Sequence, residues 1–340
     1  MPALRGAVEG RRTLPTLGMS IPHVTRQAIC DWWIAVSWYA KETLLMTVLT
    51  SLATFSLPPL AGTIRDLVWS PDGTQLAAVT SAGYLFVWQT TRGACIVRQQ
   101  VRRGPLSALA WSPHGRCLLL GDTQGGVSFF RLATQTLTTL LVFSQAVTRL
   151  AWSAHAVPSR FFVITGTTLH LFTQGRVHPW VCSYGVPLHD ACWSPEGERI
   201  ALVGAPGLIE IWDAVTRRAI WRQTSQGACP SHVSWDGAGQ RLAVGTHAGT
   251  VQIHDLRTRA CQQTLALSPF PLHSVQWGAH ALVGGSERDF AVWQEAQACP
   301  SRCAMPTSKC VCHPAGLVLA TASHGTVVLA SLSLHEEKTS

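Results

Sequence analysis

The sequence contains no asparagine, and only three of its 26 basic residues are lysines. Without asparagine the chain has no acceptor for N-linked glycans. We interpret the preference for arginine over lysine as the base composition of a GC-rich bacterial genome. Charged residues make up only 13% of the 340 residues and hydrophobic residues 47%. This balance excludes an intrinsically disordered chain and allows a large buried core.

Signatures of catalysis are also missing. The sequence has no G-x-S-x-G nucleophile elbow, and the glycine-containing stretch at 245–249 lacks the lysine of a phosphate-binding loop. No aspartate-rich loop recurs that would suggest calcium. No pattern places a nucleophile beside a base. We therefore expect a protein that is not an enzyme and that carries no cofactor.

The eleven cysteines are dispersed, and most fall in predicted strands. Free cysteine behaves as a small buried hydrophobe, so the pattern favours a reducing compartment, and we expect a cytoplasmic protein. The densest group has the spacing C-x3-C-x6-C-x-C-H, from Cys299 to His313. That spacing matches no strong zinc pattern, so no metal site is predicted.

The most informative feature that is present is a repeat of about 41 residues. A tryptophan recurs at steps of 42, 41, 41, 42 and 42 residues, at Trp69, Trp111, Trp152, Trp193, Trp235 and Trp277. A seventh unit follows 35 residues later, with Cys312 in place of the tryptophan. Self-similarity at this period indicates a repeat architecture in which each unit buries its apolar faces against its neighbours.

Each unit contains the pattern of four short strands. In the first unit, an apolar strand ending at Trp69 is followed by Ser70-Pro71-Asp72-Gly73, whose proline and glycine favour a type I turn. Two further strands follow at 75–79 and 84–88, and a more polar fourth strand at 94–98 suits an exposed edge. The sequence therefore predicts an all-β, seven-bladed β-propeller of four-stranded antiparallel blades.

These residues resemble the WD-repeat β-propellers over about residues 50–334. Unit four carries the Trp212-Asp213 dipeptide at the end of its third strand, and Ser-Pro-x-Gly turns recur in other units. Units one, five and six depart from the dipeptide, with Trp88-Gln89, His254-Asp255 and Trp293-Gln294. The resemblance implies a closed disc with a central channel. It also implies a non-catalytic scaffold that displays loops to other proteins.

The residues before the repeats divide into two segments. We expect residues 1–27 to be a disordered basic terminus, and residues 28–49 to be an apolar segment for which a helix is one reading. A second reading, and the one we adopt, is that an N-terminal strand near 50–57 closes the ring, since unit seven has only three strands of its own before the 335–340 tail. A third is a membrane span, because residues 43–61 are uncharged and near spanning length. Membrane association through residues 28–61, or export, is thus an alternative to a cytoplasmic protein.

Cationic and histidine side chains recur at the start of the first strands, three or four residues before the tryptophan position. In a propeller this position lies near one rim of the central channel, so we expect them to converge and to receive an acidic segment of a partner protein. The alternatives are that they only bond to neighbouring loops, or that a channel histidine serves a hydrolase. The candidate partner-binding residues are Arg65, Arg149, His189, His232, His273 and Lys309.

The remaining arginine pairs fall on outer strands and turns of different blades. Binding to a nucleic-acid backbone would need these side chains on one continuous face, so no nucleic-acid partner is expected. A closed ring needs no second copy for folding, and we expect a monomer.

Overall fold

The computed structural model describes residues 44–337, except 156–157, 226, 228, 280, 296–299, 317 and 324. The described strands form seven antiparallel sheets of four strands each. The predicted seven-bladed propeller is therefore confirmed. The only described helix is a 3-10 turn at Pro59–Ala61. Within the described part of the chain, no helix has the length and apolar character needed to cross a bilayer.

The strands follow one another in chain order within each blade. The first strand of the chain is β1 (Leu44–Ser56). Blade one contains β2 (Ile64–Trp69), β3 (Gln75–Thr80), β4 (Tyr84–Gln89) and β5 (Ala94–Gln100). Blade two contains β6 (Leu106–Trp111), β7 (Cys117–Asp122), β8 (Gly126–Arg131) and β9 (Thr136–Val142). Blade three contains β10 (Val147–Trp152), β11 (Arg160–Thr165), β12 (Thr168–Thr173) and β13 (Trp180–Ser183).

The second half of the ring repeats this arrangement. Blade four contains β14 (Leu188–Trp193), β15 (Arg199–Gly204), β16 (Leu208–Asp213) and β17 (Arg218–Thr224). Blade five contains β18 (Pro230–Trp235), β19 (Arg241–Thr246), β20 (Thr250–Asp255) and β21 (Ala260–Ala266). Blade six contains β22 (Leu272–Trp277), β23 (Leu282–Ser286), β24 (Phe290–Trp293) and β25 (Ser301–Cys303). Blade seven contains β26 (Lys309–Cys312), β27 (Val318–Ser323) and β28 (Thr326–Glu337), completed by β1.

The Ser-Pro-x-Gly segments form the tight turns that the sequence predicts between the first two strands. The amide of Gly73 donates to the carbonyl oxygen of Ser70 at 2.9 Å, and Gly73 has a φ of +71°. The Ser70 hydroxyl also accepts the amide of Gln75 at 2.9 Å, where the second strand begins. The left-handed backbone explains why glycine occupies the fourth turn position.

Four of the six repeated tryptophans join their blade to the one before it through the indole N–H. The indole N–H of Trp111 donates to the carbonyl oxygen of Val68 at 3.2 Å, one residue before the equivalent Trp69. Trp193 and Trp235 make the same bond to blades three and four. Trp69 donates to Val311, one residue before Cys312, at 3.3 Å. Cys312 therefore occupies the seventh tryptophan position, and the same contact links blade seven to blade one.

The N-terminal strand closes the ring, as predicted. β1 pairs with β28 from Leu44 opposite Glu337 to Ser56 opposite Thr326 and forms the outer strand of blade seven. Phe55 is buried and stacks on Trp88 of blade one, with ring centroids 5.3 Å apart. The strand begins at Leu44, so residues 44–49 of the apolar segment are strand. Residues 1–43, where the basic terminus and the rest of that segment lie, are outside the described residues, as are 338–340 of the predicted tail.

Candidate functional site

All six predicted site residues lie at the start of the inner strands, and they occupy two successive positions. Six inner strands have a bulge directly after their first residue, which leaves the second residue without a cross-strand partner. A bulge redirects a side chain out of the regular pleat. Arg65, His189 and His273 occupy this bulge position. Arg149, His232 and Lys309 occupy the position after it.

A network of ion pairs connects Arg149 and Lys309 of the second set through Asp66. Nε of Arg149 lies 2.6 Å from a carboxylate oxygen of Asp190 in blade four, and its Nη1 lies 3.8 Å from Asp66 in blade one. Nζ of Lys309 in blade seven lies 3.1 Å from the same oxygen of Asp66. The intervening blade two has Ala108 at this position, and it supplies no charge. The sequence predicted the cations, but not that internal carboxylates already pair with them.

The same two carboxylates join neighbouring blades through the backbone. Asp66 is buried, and its Oδ2 accepts the amide of Leu109 in blade two at 2.9 Å. Asp190 is equally buried, and its Oδ2 accepts the amide of Val233 in blade five at 3.2 Å. Each carboxylate also accepts the amide of the residue that follows it in its own strand. These contacts hold together the inner strands of blades one and two and those of blades four and five. We call the end of the ring that carries Asp66, Asp190 and the six candidate residues the channel mouth.

Burial and the ion pairs around Asp66 and Asp190 shift the pKa values of Arg149 and His232. Burial by itself would lower the pKa of Arg149, but the charges of Asp190 and Asp66 outweigh it, and the pKa is raised. Burial lowers the pKa of His232 to about 3; Asp190 opposes this, while Lys309, Arg149 and His273 add to it. Groups from blades three, four, six and seven thus act on one imidazole of blade five. The pKa of His232 therefore depends on charged groups that belong to four other blades.

The three candidates at the bulge position differ in whether their side chains already bind another residue of the chain. Nδ1 of His189 donates to the carbonyl oxygen of Pro230 in blade five at 2.7 Å. Nε2 of His273 lies 3.5 Å from a carboxylate oxygen of Glu287, and both side chains are largely exposed. Arg65 is exposed and has no ion pair with another described residue. Among the six candidates, Arg65 is the cation most available to a partner.

The histidines of the mouth do not form an acid–base–nucleophile arrangement with the described residues around them. The hydroxyl of Ser231 contacts Nδ1 of His232 at 3.1 Å, but Ser231 is buried and donates to the carbonyl oxygen of Gly245. His273 has an acid within reach, Glu287, yet no nucleophilic side chain contacts that pair in the described structure.

A second cluster near the mouth was not found by sequence reasoning. One ligand atom from each of His189, Cys229 and His247 lies within 4.8 Å of the other two. The residues are 40 and 18 positions apart, and no zinc motif has this spacing. The signal in the sequence is only that each residue lies beside a strand end of blade four or five.

Comparison with known proteins supports the architecture. Residues 50–89 match the family model described as WD domain, G-beta repeat, and residues 191–280 match the model of the anaphase-promoting complex subunit 4 WD40 domain. The chain is also similar to telomerase protein component 1 of Mus musculus, with 25% identity over 203 residues. That match covers 59% of this chain but only 6% of the mouse protein.

The matched models and the seven four-stranded blades together identify this chain as a WD-repeat β-propeller. Propellers of this family serve in general as scaffolds that bind other proteins. The chain departs from the family dipeptide in several blades, and at the channel mouth Asp66 and Asp190 supply buried hydrogen bonds between blades.

Proposed function

We propose that this protein is a non-catalytic interaction scaffold whose channel mouth binds an acidic segment of another protein. The observation that carries the proposal is the uncompensated charge of Arg65. The mouth contains three permanent cations, Arg65, Arg149 and Lys309, and two buried carboxylates, Asp66 and Asp190. The internal carboxylates are used by Arg149 and Lys309, so Arg65 presents a free guanidinium to solvent.

The ring favours binding without rearrangement. Buried carboxylates fix the inner strands of neighbouring blades, and the repeated tryptophans fix their other ends. A partner segment that binds a surface held in this way loses little free energy to ordering of the scaffold. The overall charge of +8 also attracts an acidic partner at long range.

Binding to a defined acidic peptide tests the proposal. A fluorescent peptide rich in glutamate and aspartate is titrated with the full chain, and fluorescence anisotropy reports the dissociation constant. We expect Arg65→Ala to weaken binding by up to about five-fold, the effect of losing one exposed ion pair. Arg98→Ala is the matched control, because Arg98 is an exposed arginine on the outer strand β5.

Two outcomes would contradict the proposal. One is equal loss of affinity in the Arg65 and Arg98 variants, which would indicate only general attraction to a basic surface. The other is equal binding of a lysine-rich peptide of the same length. Changes of His189 and His273 to alanine extend the test to the other bulge positions.

We also propose that the protein is a cytoplasmic monomer. The nine cysteines in the described part of the chain are free thiols, which suits a reducing compartment. The ring is closed by pairing of β1 with β28 of the same chain, so its fold needs no second copy. Cell fractionation and sedimentation of the purified chain test these two points; recovery in the membrane fraction or as a stable dimer would refute them.

A further inference from the structure

We propose that His189, Cys229 and His247 form a binding site for one Zn²⁺ ion between blades four and five. A ligand atom from each side chain lies within 4.8 Å of the others. The site goes beyond the proposed function and does not depend on it.

The three residues are held by elements that the fold brings together. His189 is the bulge residue of β14 in blade four, Cys229 directly precedes β18, and His247 directly follows β19 in blade five. The amide of His247 donates to the carbonyl oxygen of Cys229 at 3.1 Å, which ties two of the ligands together through the backbone. The bond from His189 to the carbonyl oxygen of Pro230 ties the third ligand to the same strand.

The side chains are close to the separation that a metal complex requires. The two imidazole rings are 5.8 Å apart, edge to face. Sγ of Cys229 lies 4.0 Å from Nδ1 of His189, the ring nitrogen that the metal does not use. Ligand atoms around a tetrahedral zinc ion are about 3.5 Å from one another. From the 4.8 Å that bounds the present separations, a contraction of about 1.3 Å or less would complete the site. His247 is exposed and can supply most of it by rotation of its side chain.

The hydrogen bonds also select the nitrogen that is free to bind. Because Nδ1 of His189 donates its proton to a carbonyl oxygen, Nε2 carries the lone pair. Metal-bound histidines commonly donate their other ring N–H to a backbone carbonyl in this way. Thiolate and imidazole ligands favour zinc over magnesium or calcium. On binding, the Cys229 thiol releases its proton to solvent, and the fourth coordination position is left for water or a partner side chain.

Metal titration of the full chain tests the site. Metal-free protein is titrated with Co²⁺ as a spectroscopic substitute for Zn²⁺, and bound zinc is counted by elemental analysis after dialysis. We expect one equivalent of zinc per chain, and a thiolate-to-cobalt absorption band that added Zn²⁺ removes. Cys229→Ser should abolish the band, and His247→Ala should weaken zinc binding at least ten-fold.

The controls are a cysteine and a histidine that lie outside the cluster. Cys261→Ser changes an exposed cysteine on β21, and His178→Ala changes an exposed histidine in blade three. Both should retain one equivalent of zinc and the cobalt band. The proposal is overturned if the unaltered chain binds no zinc after dialysis, or if His247→Ala and His178→Ala bind it equally. His247 is exposed, so its variant decides the question even if Cys229→Ser fails to fold.

Discussion

At the scale of single residues, the buried carboxylates of Asp66 and Asp190 combine two tasks. Each accepts backbone amides from two blades, and each is paired with a cation from a third blade. A carboxylate in such a place is costly if its cationic partner is removed, because its charge then stays buried without compensation. Removing one partner of these ion pairs is therefore expected to lower the free energy of unfolding by more than the intact pairs add to it.

The first prediction concerns Arg149. We expect Arg149→Ala to lower the free energy of unfolding by about 3 kcal/mol, since Asp190 loses its ion-pair partner. Urea denaturation measures the change. Arg131→Ala, at an exposed position at the end of β8, is the control and should change stability by less than about 0.5 kcal/mol. Equal losses in the two variants would show that the network does not stabilise the ring.

The second prediction concerns His254. This histidine is 1% exposed, and neither ring nitrogen has a hydrogen-bond partner in the described structure. Other blades place Trp88, Phe130 or Trp293 at the equivalent position. His254→Phe should therefore raise the free energy of unfolding by about 1 kcal/mol, because it removes two unsatisfied polar atoms. Thermal and urea unfolding test this against His178→Phe, an exposed change that should not stabilise.

The third prediction is a pH dependence from the same residue. Burial lowers the pKa of His254 from its ordinary value of 6.5 to about 4. Between these values the unfolded chain binds a proton that the folded chain does not. The contribution of His254 to the free energy of unfolding is therefore fully present above about pH 6.5. It falls as the pH drops towards 4, by up to about 1.4 kcal/mol per pH unit. His232, with a pKa of about 3, acts in the same direction.

Unfolding free energies at pH 7.5, 6 and 5 measure this slope. In His254→Phe the slope should be shallower, because one of the two histidines with a strongly lowered pKa has been removed. An identical slope in the variant and the unaltered chain would show that His254 does not contribute.

At the scale of elements, the closing strand β1 contributes to stability through a buried aromatic contact as well as through its backbone pairing. Phe55 is 7% exposed and packs against Trp88 of blade one, whereas Leu52 in the same strand is 42% exposed. The strand therefore joins the last blade to the first through its side chains as well as its backbone.

The fourth prediction compares these two side chains. Phe55→Ala should cost about 3 to 4 kcal/mol, the usual range for removal of a buried phenylalanine. Leu52→Ala should cost less than about 1 kcal/mol, because little apolar area is lost. Chemical denaturation of the full chain measures both. Comparable losses would show that β1 is held by its backbone bonds and not by this contact.

An element can be predicted from the sequence when the residues that determine it are close together in the chain. The turn at Ser70–Gly73 is encoded by four consecutive residues, and it forms as expected. The start of β1 was less predictable: residues 44–49 carry an apolar pattern that suits a helix or a strand. Pairing with β28, at the other end of the chain, decides between them. The bulges at Arg65 and His189 have no signal of their own, since any residue type occupies them in different blades.

At the scale of the whole molecule, the net charge of +8 attracts an acidic partner, and the closed ring presents a surface that need not rearrange to bind it. The fifth prediction is that affinity for the acidic peptide falls as salt is added, because the Debye length shortens from about 10 Å at 0.1 M to about 3 Å at 1 M. Anisotropy titrations at several salt concentrations measure the slope, which should be shallower for Arg65→Ala than for Arg98→Ala. Affinity that is independent of salt would exclude an electrostatic mode of binding.

The sequence by itself determined the number of blades, the four strands of each and the positions of their turns. The reason is that alternation, turn chemistry and the recurring tryptophan are all contained within one unit of about 41 residues. Only the tertiary structure decided that Arg149 meets Asp66 and Asp190, and that His189, Cys229 and His247 meet at one point. These groups come from different blades or from separate strand ends. Their distances depend on the radius of the ring and on the bulges, which no spacing along the chain records.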